Sequence, residues 1–301
     1  MPSIRRTSFL GSNMAAQARL REAQGRLSTA SAQVATSRAY DRPSQNVSAS
    51  SRAALLQDQV DRIGVYDRAI NDATSRLSYA DDMLGQAMNL YHRVTELGTL
   101  AGSPLANASV KTSIRQEVID IRRAIEGIAN SRYLGEPVFA GFSGADAVEF
   151  DSGASAWSFT GDSNDRVERR IGQTESIRVN VTAAEAFRSG GNDIFSMLDE
   201  LAASLTADDN AATVTAMDKL AGLRSTLSAA QAQVGATTQM VEKAGQRNSS
   251  LVIRLQEEIT NVRDVDLAMA ITDRSRLQIA YEAAIAVTAK GQNMSIMDWL
   301  R

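Results

Sequence analysis

Six residues spaced seven apart, Leu56, Ile63, Ile70, Leu77, Leu84 and Tyr91, constrain this chain's fold more than any other feature. Tyr66, Ala73, Ala80, Ala87 and Val94 fill the companion positions three residues further on. A seven-residue apolar repeat keeps one face of an α-helix turned toward a partner helix, and a strand, with its period of two, cannot carry it. Residues 47–99 are therefore predicted as one long helix with coiled-coil-like packing. The register returns downstream at Leu220, Leu227, Val234, Val241, Asn248, Leu255 and Val262, supported by Leu223, Ala230, Ala244, Leu251 and Val265. This predicts a second very long helix from about residue 211. Asn248 is a polar residue at a seam position, a device that fixes register at some cost in stability.

The ends of the chain repeat the pattern in a thinner form. Leu20, Leu27 and Val34 are seven apart, with Ala16, Ala23 and Ala30 at the companion positions. A seam with alanine at half its positions buries little area per turn, and a lone helix of this kind is marginal in water. At the other end Leu277, Ala280, Ala284, Val287 and Met294 form a comparable stripe, after a register slip expected between Met269 and Leu277.

Only four prolines occur, and all fall where segments change: Pro2, Pro43, Pro104 and Pro137. That distribution suits long helices, because proline's fixed φ and missing N–H break helix interiors. A further helix is predicted at about 107–131, where Ile114, Val118, Ile121, Ile125 and Ile128 alternate steps of four and three. Residues 133–190 change character. They are glycine-punctuated, rich in phenylalanine and partly alternating, with Ile177, Val179 and Val181 on one side and Arg178 and Asn180 on the other. The expected fold is mainly α, an elongated antiparallel helical rod or coiled-coil bundle with a small inserted β domain. Its expected parts are an N-terminal assembly helix (1–42), two rod segments (43–132 and 193–262), the β domain (133–192) and a C-terminal assembly helix (263–301).

No catalytic, cofactor-binding or metal-ligating set emerges. The chain has no cysteine and one histidine, which removes disulfides, thiolate metal sites and cysteine nucleophiles. His92 lies beside a seam residue with no Asp or Ser pattern around it. Asp264 and Asp266 are two apart on an expected helix and so would not share a face. Gly141 and Gly144 belong to no phosphate-loop pattern and suit turns. The formal charge of −3 gives no reason to expect nucleic acid. Residues 1–42 carry seven arginines against Glu22 and Asp41, a local +5, whereas 263–301 is neutral. No apolar run approaches the ~18 residues that cross a bilayer, and Arg5 and Arg6 are not followed by the apolar stretch of a secretory signal.

Three ordered segments resemble the flagellin superfamily. The C-terminal stretch 264–301 carries Asp264, Asp266 and Ala268 in a D-x-D-x-A opening, Leu277-Gln278, Ala283-Ala284, and a close from Ser295 to Leu300-Arg301. Residues 25–53 look like the superfamily's "RLSSG" segment, and Arg42-Pro43-Ser44 resembles the "NRPSDDP" of the hook–filament junction family, the third hook-associated proteins. SRYLGEPVFAGFSG (131–144), WSFTGD (157–162) and SIRVNVTAAEAF (176–187) are similar to the middle of that family. Departures are Ser37 where "SSGK" has glycine, Gln45-Asn46-Val47 in place of Asp-Asp-Pro, Gly135-Glu136-Pro137 inside "YLFAG", and Ala184 at a usual glycine.

The resemblance implies a helical structural subunit of the bacterial flagellum, exported through the flagellar type III apparatus without a cleaved signal. It implies an extracellular place between the first hook-associated protein and flagellin, self-association in a ring, and an export chaperone on the C-terminal helix. No nucleic acid or membrane partner is implied. The assembly and chaperone-binding stripes would be Leu20, Leu27 and Val34, and Leu277, Ala284, Val287 and Met294. The terminal helices would be disordered alone and ordered by neighbours. The alternatives are a filament flagellin, against which Arg42-Pro43-Ser44 and the YLGEPVFAG segment argue, and an unrelated coiled-coil scaffold.

Overall fold

A computed structural model of the full chain describes residues 3–103, 106–161 and 164–299, with side chains considered from residue 14 to residue 290. Pro104 and Asp162 lie outside the described residues. The fold is mainly α with small antiparallel β pairs, as the periodicity predicts. Contacts divide the chain into a central unit, residues 63–250, and a terminal unit made of residues 1–62 and 251–301.

Helix α1 spans Ser3–Thr36 and α2 spans Val47–Ala101. Helix α3 follows at Ala108–Ala129, opened by Asn107, whose side chain accepts from the Val110 N–H at 2.9 Å. The β segment contains β1 (Arg132–Tyr133), β2 (Glu136–Pro137), β3 (Val148–Asp151), β4 (Ala156–Phe159), β5 (Glu168–Arg170) and β6 (Ser176–Arg178), which form three separate antiparallel pairs, β1–β2, β3–β4 and β5–β6. Short α4 (Ala183–Phe187) and the pair β7 (Arg188–Ser189) and β8 (Asn192–Asp193) lead into α5 (Ile194–Thr206). Helix α6 runs from Asn210 to Arg263 and α7 from Leu267 to Trp299.

In the central unit, α2 and α6 run antiparallel in a constant register. Gly98 faces Met217, Gly85 faces Gln231, Gly245 faces Ile70, and Asn248 faces Asp67. The predicted seam residues Ile70, Leu77, Leu84, Leu220, Leu227 and Val234 are all buried. Gly98 lets the helices approach closely here: a Cβ would lie 2.1 Å from the Met217 sulfur, so a larger residue would need the Met217 side chain to turn away. At the Asn248 seam position the side-chain amide donates to Asp67 Oδ1 of α2 at 3.2 Å and to the Ile171 carbonyl at 3.3 Å.

A second layer covers that seam. Helices α3 and α5 pack together through Ile114, Val118, Ile121, Ile125, Leu198 and Leu201. The phenylalanine-rich segment contributes Phe139 and Phe187, whose rings meet edge-on at 5.8 Å, and Trp157 stacks against Phe195 at 4.8 Å. Asp199 accepts from the Trp157 indole at 3.1 Å and pairs with Arg122 at 3.2 Å.

Three polar residues inside this unit carried no sequence signal. Arg76 is buried, donating to the Pro137 carbonyl at 2.8 Å and to Glu136 at 3.1 Å. Lys111, also buried, reaches Asp208 in the turn before α6 and Asn210 at its first position. Asn180 corrects the alternation expected around it. It is buried, accepts from the Val167 N–H and donates to the Asp165 carbonyl, both at 2.8 Å.

Candidate assembly site

The terminal unit buries few apolar side chains and leaves many exposed, while the central unit, with its large core, also exposes some, Leu134 and Phe142 among them. The buried apolar residues of the terminal unit, among those described, are Ala30, Leu56, Leu255, Ile259 and Ala270. Helices α1 and α7 pack side by side. Leu20, Leu27 and Val34 lie half-buried on α1, and Leu277 and Ala284 lie half-buried on α7 together with Tyr281 and Thr288.

Val287 does not join that stripe. It is 72% exposed, and the face that packs continues from Leu277 through Tyr281 and Ala284 to Thr288 in steps of four, three and four. Helical geometry explains the difference, because Val287 is rotated roughly 60° or more away from Ala284 and Leu277. Met294, Leu300 and Arg301 lie outside the residues whose side chains are described. Met269, Ile279 and Val287 lie off that stripe and open to solvent, and Leu267, Ile271 and Ile285 are exposed too. Leu251, expected in the α6 seam, is likewise exposed.

Where the helices of this unit change direction, the two strands of chain are joined. Helix α1 ends at Thr36, and α6 ends at Arg263, four residues before α7 begins at Leu267. The Ala39 N–H donates to the Arg263 carbonyl at 2.8 Å, and the Val265 N–H donates to the Ser37 carbonyl at 3.1 Å. Arg38 and Asp264 are thereby paired as an isolated antiparallel bridge. Helix α7 then starts on Asp266, whose carboxylate accepts from the N–H groups of Ala268 at 2.9 Å and Met269 at 3.1 Å. The helix break thus falls at 264–266, earlier than the register slip suggested.

The Arg42-Pro43-Ser44 triplet lies on the exposed connection to α2, where Pro43–Gln45 forms one 3₁₀ turn with proline in its first position. Gln45 Oε1 accepts from the Asp41 N–H at 2.8 Å, and Asn46 caps α2 by accepting from the Ala49 N–H at 3.1 Å.

His92 is exposed on α2, its ring edge-on to Tyr91. Among the described residues, no three His, Asp or Glu side chains converge to hold a metal ion, and no helix is long and apolar enough to cross a membrane.

Comparison with known proteins accounts for this arrangement. The sequence model of the bacterial flagellin N-terminal helical region matches residues 8–143, and that of the flagellin C-terminal helical region matches residues 198–300. The chain belongs to the flagellin superfamily. It is 22% identical over 290 residues to the flagellar hook-associated protein 3 of Escherichia coli (strain K12), covering 88% of this chain and 90% of that one. Its counterpart in Salmonella typhimurium (strain LT2) is 23% identical over 288 residues, with the same coverage. Among solved structures, the flagellar junction protein FlgL from Legionella pneumophila has a similar fold, with a TM-score of 0.60 at 14% identity over 70% of this chain and 99% of that one.

Superfamily membership gives meaning to the departures noted in the sequence. Ser37, standing where the "SSGK" pattern has glycine, has φ +57°, in the left-handed region that glycine enters without cost. Asp264 and Asp266, the D-x-D opening, are the bridge residue and the α7 cap. A bridge between residues 38 and 264 and a helix start at 267 exist only in the folded chain, so sequence spacing carries no sign of these roles.

Proposed function

We propose that this chain is a non-catalytic structural subunit of the hook–filament junction, whose terminal helices are finished by neighbouring subunits. The observation that carries the reading is the exposed apolar surface of α7 beside the stripe that packs on α1: Met269, Ile271, Ile279, Ile285 and Val287 all lie open to solvent. Ordering the backbone costs about 1–2 kcal/mol per residue. A helix pair with these side chains in water recovers little of that, so ordering is favourable only when other subunits cover them. Assembly is then cooperative, and premature polymerisation is disfavoured.

The neighbours on this reading are the first hook-associated protein on one side, flagellin on the other, and copies of the chain itself in a ring. Before export the same apolar side chains of residues 264–301 are the surface an export chaperone would shield. The subunit leaves the cell unfolded through the flagellar export apparatus, with no cleaved leader. Superfamily membership and the hook-associated names of the relatives support this placement.

Electron microscopy of a strain lacking the gene tests it. Bare hooks, with flagellin shed into the medium, are the expected result. Normal filaments on normal hooks would contradict it.

A further inference from the structure

We infer that residues 37–39 and 263–265 form a clasp from which α1 and α7 order together, so that neither terminal helix becomes ordered without the other. The inference rests on the proposed ordering of the termini and adds the point where that ordering starts.

Three features of the clasp support it. First, both chain segments leave helical geometry at the same level, and each supplies one N–H and one carbonyl to the other, Ala39 to Arg263 and Val265 to Ser37. Ser37, whose carbonyl accepts from Val265, sits in the left-handed region that a non-glycine residue enters only at a cost, so surrounding contacts must hold it.

Second, each helix is tied to the clasp by a side chain. On the α1 side, Gln33 Nε2 donates to the Ala39 carbonyl at 2.9 Å, fixing the last turn of α1 to the bridge. On the α7 side, Asp266 caps the first turn, and the Ala270 N–H donates to the Asp266 carbonyl at 2.8 Å.

Third, helix formation is limited by its first turn, with a nucleation constant on the order of 10⁻³. The clasp supplies a preset first turn for α7 and a preset last turn for α1, and it brings together segments more than two hundred residues apart. Beyond it the two helices pack against each other along their thin seams. Ordering therefore spreads outward from the clasp along both helices at once.

The absence of native cysteine allows a direct test. The two hydrogen bonds flank the Arg38–Asp264 pair, a non-hydrogen-bonded antiparallel position with Cα atoms about 4.5 Å apart, which a disulfide spans. Full-length protein carrying Arg38→Cys and Asp264→Cys should close this link on oxidation. Amide exchange in residues 20–36 and 267–281 should then slow at least tenfold relative to the reduced form, in both helices. A link that fails to form, or one that slows one helix and not the other, overturns the clasp.

If α1 and α7 are already strongly protected in the unmodified monomer, the ordering-on-assembly reading fails while the clasp can still be judged. In that case Ala39→Pro, which removes the N–H given to Arg263, should speed exchange in α7 on the other segment. Unchanged α7 exchange overturns the clasp.

Discussion

The central and terminal units share one seven-residue code, yet only the central unit turns it into a core. Leu77, Leu84, Leu220 and Leu227 are buried because α3, α5 and the β segment lay a second layer over the α2–α6 seam. In the terminal unit, alanines hold the buried positions of α1 and α7, while Leu27 and Leu277 stay half-exposed. The heptad period decides which face of a helix is apolar. Side-chain size and the number of covering layers decide whether that face is dry.

Truncating one leucine in each unit should break the likeness most visibly. Leu84, 1% exposed, sits in the two-layer core, and Leu84→Ala should cost about 3–5 kcal/mol in equilibrium urea unfolding. Leu27→Ala should cost under about 1 kcal/mol in the monomer, because its side chain is only half removed from water. Its loss should appear instead as fewer filament-bearing hooks in a complemented deletion strain. Equal unfolding costs would show that the two units are cores of the same kind.

The helix caps give a finer test. Asp193 opens α5 in the central unit, accepting from the Ser196 N–H at 2.8 Å, and Asp266 opens α7 in the terminal unit. Asp193→Ala should lower unfolding stability by about 1 kcal/mol. Asp266→Ala should leave the unfolding midpoint of the monomer in place and weaken assembly. A matching drop in monomer stability for both would erase the distinction.

Much of the central unit was legible in the sequence, since long apolar periods name helices and the faces they bury. The seam at 56–91, the register through Asn248 and the change of character at 133–190 all follow from residue spacing. Arg76, Lys111 and Asn180 were not legible, because a buried polar group is recognised by the partners that the fold brings to it. The terminal site was only partly legible. Leu20, Leu27, Leu277 and Ala284 lie half-buried on the α1–α7 pair. Val287 was assigned to that stripe on a spacing that small residues leave ambiguous, and the clasp depends on hydrogen bonds between segments far apart in sequence.

Amide hydrogen exchange on the purified wild-type monomer tests the central claim most directly. Slow exchange through the α2–α6 seam of residues 70–97 and 216–244, with near-unprotected amides in residues 14–36 and 268–290, is the result expected of a subunit whose ends are finished by its neighbours. Protection of the two terminal helices comparable to that of the central seam would contradict it.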